Sequence, residues 1–519
     1  MAANISNRKR RFTTKQAEEL ITQQRADADD ACSSDSHSTE ESDSDDSDVD
    51  FSPESSSDHD SSMEVDEDPE PEGTAGSEWK AKNGQVWSAS HQETLRYFPA
   101  TCRRPGPTRY AITRISDVTS ALELFITKEI IQVVVDMTNL QGFRTVTNWK
   151  KTDSTEIQAF IGLVILAGVF RSRNEAVLSL WNEHTGRPMF RATMSRKRFE
   201  TLCTKLRFDD RLSRPARLRE NKLAAILKLW EMWEGRLGLL FNPGQDICVD
   251  EQLVPFRGRC RFRQYIPNKP AKYGIKIWVA CDVATSYAWK MQVYTGKEEG
   301  ARPEVNQGRR VVLELTEELQ GYGHTVTCDN FFTSYALAED LLKRKMALVG
   351  TIRRNKAELP PILLQTRERA TLSSVFAFTK THAAVSYVPK RGRNVLLLST
   401  KHREPSVSEA EHQKPAIILD YNSCKGGVDN LDKVVGTYSC RRKSNRWPLT
   451  LFYNILDVSA YNAFVLWVAV DPSWNQTKNQ QQQARHEEAM RVQIQSVEEG
   501  STPRQWRSKS RTRNSSGLN

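Results

Sequence analysis

Between residues 27 and 72 the chain contains no lysine or arginine, against 20 Asp and Glu. With so few large apolar side chains to bury, that stretch reads as a solvated acidic tail. Cysteine is sparse and scattered: the nine residues at 32, 102, 203, 248, 260, 281, 328, 424 and 440 include no CxxC pair and no His at finger spacing. This excludes a zinc finger built from them and favours unpaired thiols in a reducing compartment. No uninterrupted apolar run reaches the roughly 18–20 residues of a membrane span. The longest is Phe160 to Phe170, which reads as a buried helix. No apolar stretch follows the charges at the N-terminus, so no secretory signal is expected. The expectation is a soluble intracellular chain with no membrane partner.

The 519 residues carry 74 Lys and Arg against 65 Asp and Glu, a net charge of +9. Setting the acidic stretch aside leaves 74 basic against 45 acidic residues, or +29. A body with that excess attracts polyanions, nucleic acid first. Arg8-Lys9-Arg10-Arg11 is either a nuclear address or a charged start. The Ser/Asp tract behind it would become more negative on phosphorylation.

From about Trp79 to Gln245 apolar residues recur at helical spacing, at Glu123–Met137, Glu156–Phe170, Arg196–Leu206 and Lys222–Leu240. Trp230 and Trp233 read as core side chains there. The period changes at Asp246. Ile247–Val249, Arg261–Ile266, Ile275–Cys281, Ala288–Tyr294, Arg310–Leu315, Thr325–Cys328 and Ala347–Ile352 are strand candidates, with a helix over Thr333–Lys345. This predicts a mixed sheet covered by helices. Residues 353–413 look like an insertion with strand candidates at Ala384–Val388 and Val395–Ser399. Ile417–Tyr421 then reads as β-like, and Val428–Tyr438 and Thr450–Val468 as helices. The Gln-rich and then basic end has no core of its own.

Asp250 and Asp329 each close a predicted strand, in ICVDEQ and TVTCDNFF. Asp429 opens a predicted helix in KGGVDNLD, with Asp432 one turn on. Carboxylates on different elements meeting at one sheet edge suit the hard, oxygen-seeking divalent ions used in phosphodiester chemistry. Alternatively, each is a turn former or helix cap. Between them runs RGRCRFRQYIPNKPAKYGIK, with Arg257, Arg259, Arg261, Lys269, Lys272 and Lys276 interleaved with aromatics. Basic groups contact phosphates and aromatics stack on bases, although a solvated hairpin edge has the same composition. A second cluster, Arg441, Arg442, Lys443 and Arg446, precedes Trp447, which is either a stacking side chain or the staple of the last apolar helix.

The blocks VDEQLVPFRGRCRFRQYIPNKPAKYGIK, TCDNFFTSYALAEDLL, VGTIRRNK, YNSCKGGVDNLDK and SCRRKSNRWPLTLFYNILDVSAYNAF together resemble those of piggyBac transposases, over roughly residues 95–470. The resemblance implies an α/β ribonuclease H-like catalytic domain with an insertion, flanked by a mostly α-helical DNA-binding and dimerisation domain, behind a disordered acidic N-terminal tail. The corresponding divisions are a tail over 1–78, helical domain 79–245, catalytic domain 246–352 and 414–438, insertion 353–413, helical return segment 439–475 and basic tail 476–519. It further implies catalytic, metal-holding Asp250, Asp329 and Asp429, with Asp432 as a fourth acid of the site. Mg²⁺ or Mn²⁺ is the implied cofactor, and no structural zinc is expected, because the Cys-rich module that usually ends such proteins has no counterpart after Cys440. Arg353 and Lys356 match basic residues that engage DNA, particularly target DNA, and Asn330 beside Asp329 joins the DNA-contacting set.

The implied activity is metal-dependent cleavage of double-stranded DNA at transposon ends and strand transfer to TTAA targets by a nuclear homodimer. The alternative is a domesticated DNA- or chromatin-binding protein that no longer cuts. An RNA-processing nuclease is disfavoured, since the resemblance extends into the flanking helical blocks.

Overall fold

A computed structural model of the chain describes residues 78–90, 103–297, 304–410 and 412–474. The expected tails lie outside these residues, except Glu78. Described here are the longer helices α1 (Lys128–Thr145), α2 (Ser154–Val169), α3 (Arg196–Lys205), α4 (Leu227–Leu240), α5 (Gln307–Leu315), α6 (Tyr335–Lys343), α7 (Ala416–Cys424), α8 (Gly427–Thr437) and α9 (Trp447–Val470). The eleven strands of the main sheet are β1 (Glu78–Lys80), β2 (Val86–Ser88), β3 (Asp246–Pro255), β4 (Arg263–Tyr265), β5 (Tyr273–Asp282), β6 (Ala288–Val293), β7 (Thr325–Cys328), β8 (Ala347–Thr351), β9 (Ser374–Phe378), β10 (Ala383–Lys390) and β11 (Arg393–Ser399).

One half of the sheet runs β6-β5-β3-β7-β8. Strands β3, β5 and β6 form an antiparallel meander, while β7 and β8 lie parallel to β3 and to each other. Helices α5 and α6 lie in the connections into β7 and β8, as parallel pairing requires a long crossover. This mixed sheet is consistent with a ribonuclease H-like core. The sheet then continues through β11, β10, β9 and β2 to β1. Residues 353–413, expected as an insertion, therefore contribute three strands to the same sheet. Residues 78–88, expected within the helical region, form a hairpin on its far edge through Ser88 and Phe378.

The helical region forms for local reasons. Thr127, Asp153 and Ser195 cap α1, α2 and α3 by accepting from backbone N–H groups of the first turn. Helix α2 is apolar nearly all round and buried accordingly. Trp233 is fully buried in α4 and its indole donates to Ser459 Oγ at 2.8 Å, in keeping with the core reading.

Two strand expectations become helices. Arg310–Leu315 falls in α5, where Val311, Val312 and Leu315 face the core, and Ile417–Tyr421 falls in α7, where Ile417 and Ile418 do. In each case an adjacent β-branched or aliphatic pair suggested a strand, and tertiary packing overrode that propensity.

Helix α9 is long and apolar enough to cross a bilayer by length and composition, and 78 % of its most apolar window is buried within the protein. The run criterion missed it because Asn454, Asp457, Ser459 and Asn462 interrupt the apolar sequence. All four are buried and bonded: Asn454 to Gln252, Asp457 to Cys440, Ser459 to Trp233 and Asn462 to Ala288. The helix ties the sheet to the helical region through these polar contacts.

Candidate active site

Strand β3 pairs with β7 in parallel up to Val249 opposite Cys328, so the next residue on each chain is an aspartate. Asp250 and Asp329 thus stand side by side at the carboxyl end of the parallel pair, where open α/β sheets place their ligands. Burial, followed by the charge of Asp329, pushes Asp250 up to about 7. Asp329 is raised as well, by burial first, while Phe331 N–H donating to its Oδ1 at 2.9 Å and the charge of Arg353 oppose the rise.

Helix α8 brings the other two acids. Its double glycine has a steric cause at Gly427, where a Cβ would lie 2.8 Å from Cys248 Cβ on β3. The first turn therefore packs directly on the strand. Asp429 lies exposed in that turn, and Asp432 is half-buried three residues on. Asp432 is raised by burial, against the lowering effect of its hydrogen bond from Gln252 and the charge of Lys269. The Lys269 ammonium donates to Glu251 O at 3.2 Å, and its charge also favours ionised Asp250.

Hard carboxylate oxygens crowded together are the chemistry a divalent cation seeks, and the Asp250–Asp329 repulsion is what such an ion would relieve. The donor types fit. Among the described residues no group of three His, Cys, Asp or Glu side chains is close enough to enclose one ion. The two strand acids form the pair, and the helix acids are carried on α8, whose first turn packs on the same strand at Cys248.

The basic residues divide sharply. Arg257, Arg259, Arg261 and Lys272 are exposed and Lys269 is half-buried above the acids. Lys276 is buried, 2.7 Å from Glu251, with its ammonium 4.8 Å from the Phe331 ring centroid. In the second cluster only Lys443 is exposed. The Arg442 guanidinium is buried and donates to Ser172 O and Glu175 O, both at 2.5 Å. Arg441 donates to Pro255 O, and Arg446 to Cys203 O, Thr204 O and Leu206 O. Trp447 packs edge-on against Phe262 at 5.0 Å, the staple arrangement. Lys276, Arg441, Arg442 and Arg446 are thus engaged inside the protein, away from the DNA-contacting role expected of them. Asn330, Arg353 and Lys356 line a cavity of about 310 Å³ next to Asp329.

Sequence reasoning passed over Gln252 and Asn454, which reach Asp432 through hydrogen bonds. Period-two alternation from Asp250 was a usable signal for Gln252. For Asn454 the signal was an amide within an apolar helix.

Residues 118–464 match the family model described as Transposase IS4. The human PiggyBac transposable element-derived protein 3 is 26 % identical over 391 residues, 71 % of this chain and 64 % of the relative. The human PiggyBac transposable element-derived protein 2 is 20 % identical over 367 residues, 66 % of this chain and 60 % of the relative. The chain therefore spans less than two thirds of the length of these relatives. A cryo-EM structure of the piggyBac transposase synaptic complex with hairpin DNA superposes with a TM-score of 0.72 at 34 % identity, covering 78 % of this chain and 86 % of that one. With two thirds of its length inside the transposase model and its fold matched to that complex, the chain belongs to the piggyBac transposase family.

Proposed function

We propose that the chain is a divalent-metal-dependent DNA nuclease and strand transferase that cuts at transposon ends and joins the freed 3′-OH to TTAA targets. The observation that carries this reading is the Asp250–Asp329 pair, two crowded carboxylates on adjacent parallel strands, with Asp250 held near 7. In this reading Asp250, Asp329 and Asp429 are catalytic, and with Asp432 they hold Mg²⁺ or Mn²⁺. When bound there, such an ion would supply a Lewis acid for the attacking and departing oxygens.

The remaining parts follow from the chain's own residues. Lys269, whose charge reaches both Asp250 and Asp432, is suited to a non-bridging oxygen of the scissile phosphate. Arg257, Arg259, Arg261 and Lys272, with Lys443, form the exposed basic surface that follows the DNA backbone. The cavity beside Asp329, with Asn330, Arg353 and Lys356, receives a second DNA segment, that of the target. A nuclear homodimer is the form in which such a protein would join two ends. DNA as the partner is supported by the hairpin DNA in the similar synaptic complex.

The test is excision of a donor flanked by the element's own terminal repeats and TTAA, comparing wild type with Asp250→Ala. Seamless excision that the substitution abolishes is the expected result. Excision that survives Asp250→Ala overturns the acid site. A wild type that binds DNA tightly without cutting it, with or without Mg²⁺, would support the non-cleaving DNA- or chromatin-binding alternative instead.

A further inference from the structure

Residues two apart on a strand project to one face. Asp250 and Gln252 therefore share a face of β3, the face of Cys248, against which α8 packs. There Gln252 Nε2 donates to Asp432 Oδ1 at 2.8 Å, and Gln252 Oε1 accepts from Asn454 Nδ2 at 3.1 Å. Gln252 is 1 % exposed and Asn454 6 %. A carboxylate only accepts, so the Gln252 amide must turn its NH₂ toward Asp432. Its carbonyl is then left facing a donor, which α9 supplies. One directed chain of hydrogen bonds thus runs from α9 through β3 to α8.

Packing alone does not call for this chain. Apolar side chains would fill the same space without buried amides to satisfy. Two adjacent, almost fully buried amides whose terminal acceptor is an acid that shares the charge of Lys269 with Asp250 indicate a task at that acid. We infer that Gln252 and Asn454 are positioning residues for Asp432: they occupy its Oδ1 and fix its orientation, leaving Oδ2 available to a divalent cation at the acid site. The inference rests on the acid site proposed above. Neither amide touches the ion in this arrangement. They act through Asp432, as outer-shell partners act on the ligands of other metal sites.

The test uses the full chain without DNA and Mn²⁺ alone as the probe, with free Mn²⁺ followed by electron paramagnetic resonance. Wild type is compared with Asp250→Asn, Gln252→Met, Asn454→Leu, Asp432→Asn and the double variant Gln252→Met with Asp432→Asn. Gln252→Met should weaken Mn²⁺ binding roughly 10–100-fold, as loss of outer-shell partners does elsewhere. Asn454→Leu should weaken it less, and in the same direction. In the Asp432→Asn background, Gln252→Met should add nothing, whereas a merely structural loss would weaken binding in both backgrounds. If Gln252→Met does not fold, Asn454→Leu with and without Asp432→Asn carries the same comparison. Wild-type affinity in a folded Gln252→Met or Asn454→Leu variant, or an equal loss in both backgrounds, overturns the positioning role and leaves the acid site standing. If wild type binds no Mn²⁺, or Asp250→Asn does not change the binding, the acid site itself falls.

Discussion

Two arginine-rich segments that read alike in sequence take opposite roles in the fold. Residues 257–261 present Arg257, Arg259 and Arg261 to solvent, whereas residues 441–446 direct three arginines to backbone carbonyls within the protein. The two segments also touch. Arg441 donates to Pro255 O, Trp447 packs on Phe262, and Gly258 approaches the Asn445 carbonyl so closely that a Cβ there would lie 2.7 Å from it. Arg441, with Trp447 and the Asn445 carbonyl, thus braces the loop that displays the outer arginines, while Arg442 and Arg446 fasten the inner segment to the helical region. Cationic charge alone does not identify a DNA surface. What distinguishes the two is whether the guanidinium is turned inward onto backbone carbonyls or stands exposed.

The largest expected effect would sharpen this division. Arg442→Ala leaves the Ser172 and Glu175 carbonyls without their donor and opens a cavity, and should destabilise the fold by about 3–5 kcal/mol. Denaturant unfolding measures the loss. The salt dependence of DNA binding by the folded fraction should be unchanged. A shallower salt slope with unaltered stability would instead return Arg442 to the DNA surface and break the comparison.

The turn that begins the inner segment carries a titrating anchor. Asp457 Oδ1 accepts from Cys440 N–H at 2.8 Å and Oδ2 from Ser439 Oγ at 2.7 Å, and burial pushes the carboxyl up to about 7. Because the folded value lies above the unfolded one, the group's stabilising contribution is complete below the unfolded pKa and is lost as pH rises through about 7. Asp457→Asn keeps an acceptor for Cys440 and removes the titration. Across pH 4–7.5 the variant should gain roughly 2–4 kcal/mol relative to wild type, at about 1.4 kcal/mol per pKa unit. Parallel stability profiles for the two proteins would show that the anchor does not titrate in this range.

How far the sequence could be read follows the same division between local and distant causes. Asp329 was legible as a strand-terminal acid, whereas Asp250, expected to close its strand, stands in the middle of β3, which runs on to Pro255 in its pairing with β5. Gly426-Gly427 marked the close approach of α8. The β-prone pairs Val311-Val312 and Ile417-Ile418 misled because the partners that made them helical lie elsewhere in the chain. Arg442 could not be separated from Arg259 by sequence, since its acceptors lie 267 and 270 residues away. Helix α9 escaped the run criterion through Asn454, Asp457, Ser459 and Asn462; the partners of Asn454, Ser459 and Asn462 lie 202, 226 and 174 residues away, and only that of Asp457 is near in sequence. The strand from Asp250 to Gln252 lies between these cases, with the alternation visible and the Asn454 end of the chain hidden.

The smallest expected effect concerns the outer segment. Arg257, Arg259 and Lys272 are exposed, so replacing all three with Gln should change unfolding free energy by no more than about 0.5 kcal/mol. If each neutralises one phosphate, the slope of log affinity against log salt should become shallower by about 0.9 per residue, close to 3 in total. The separation between sites should also hold in the other direction. Mn²⁺ affinity at the acids should be unaffected, because these side chains follow the far end of β3 whereas Asp250 lies at its middle. Binding measured across a range of salt concentrations, with stability and Mn²⁺ affinity taken on the same samples, tests all three statements. An unchanged slope would make the 257–272 stretch a solvated edge whose charges only keep the strand soluble, and the DNA path would then have to run through Lys443 and the Arg353–Lys356 cavity instead.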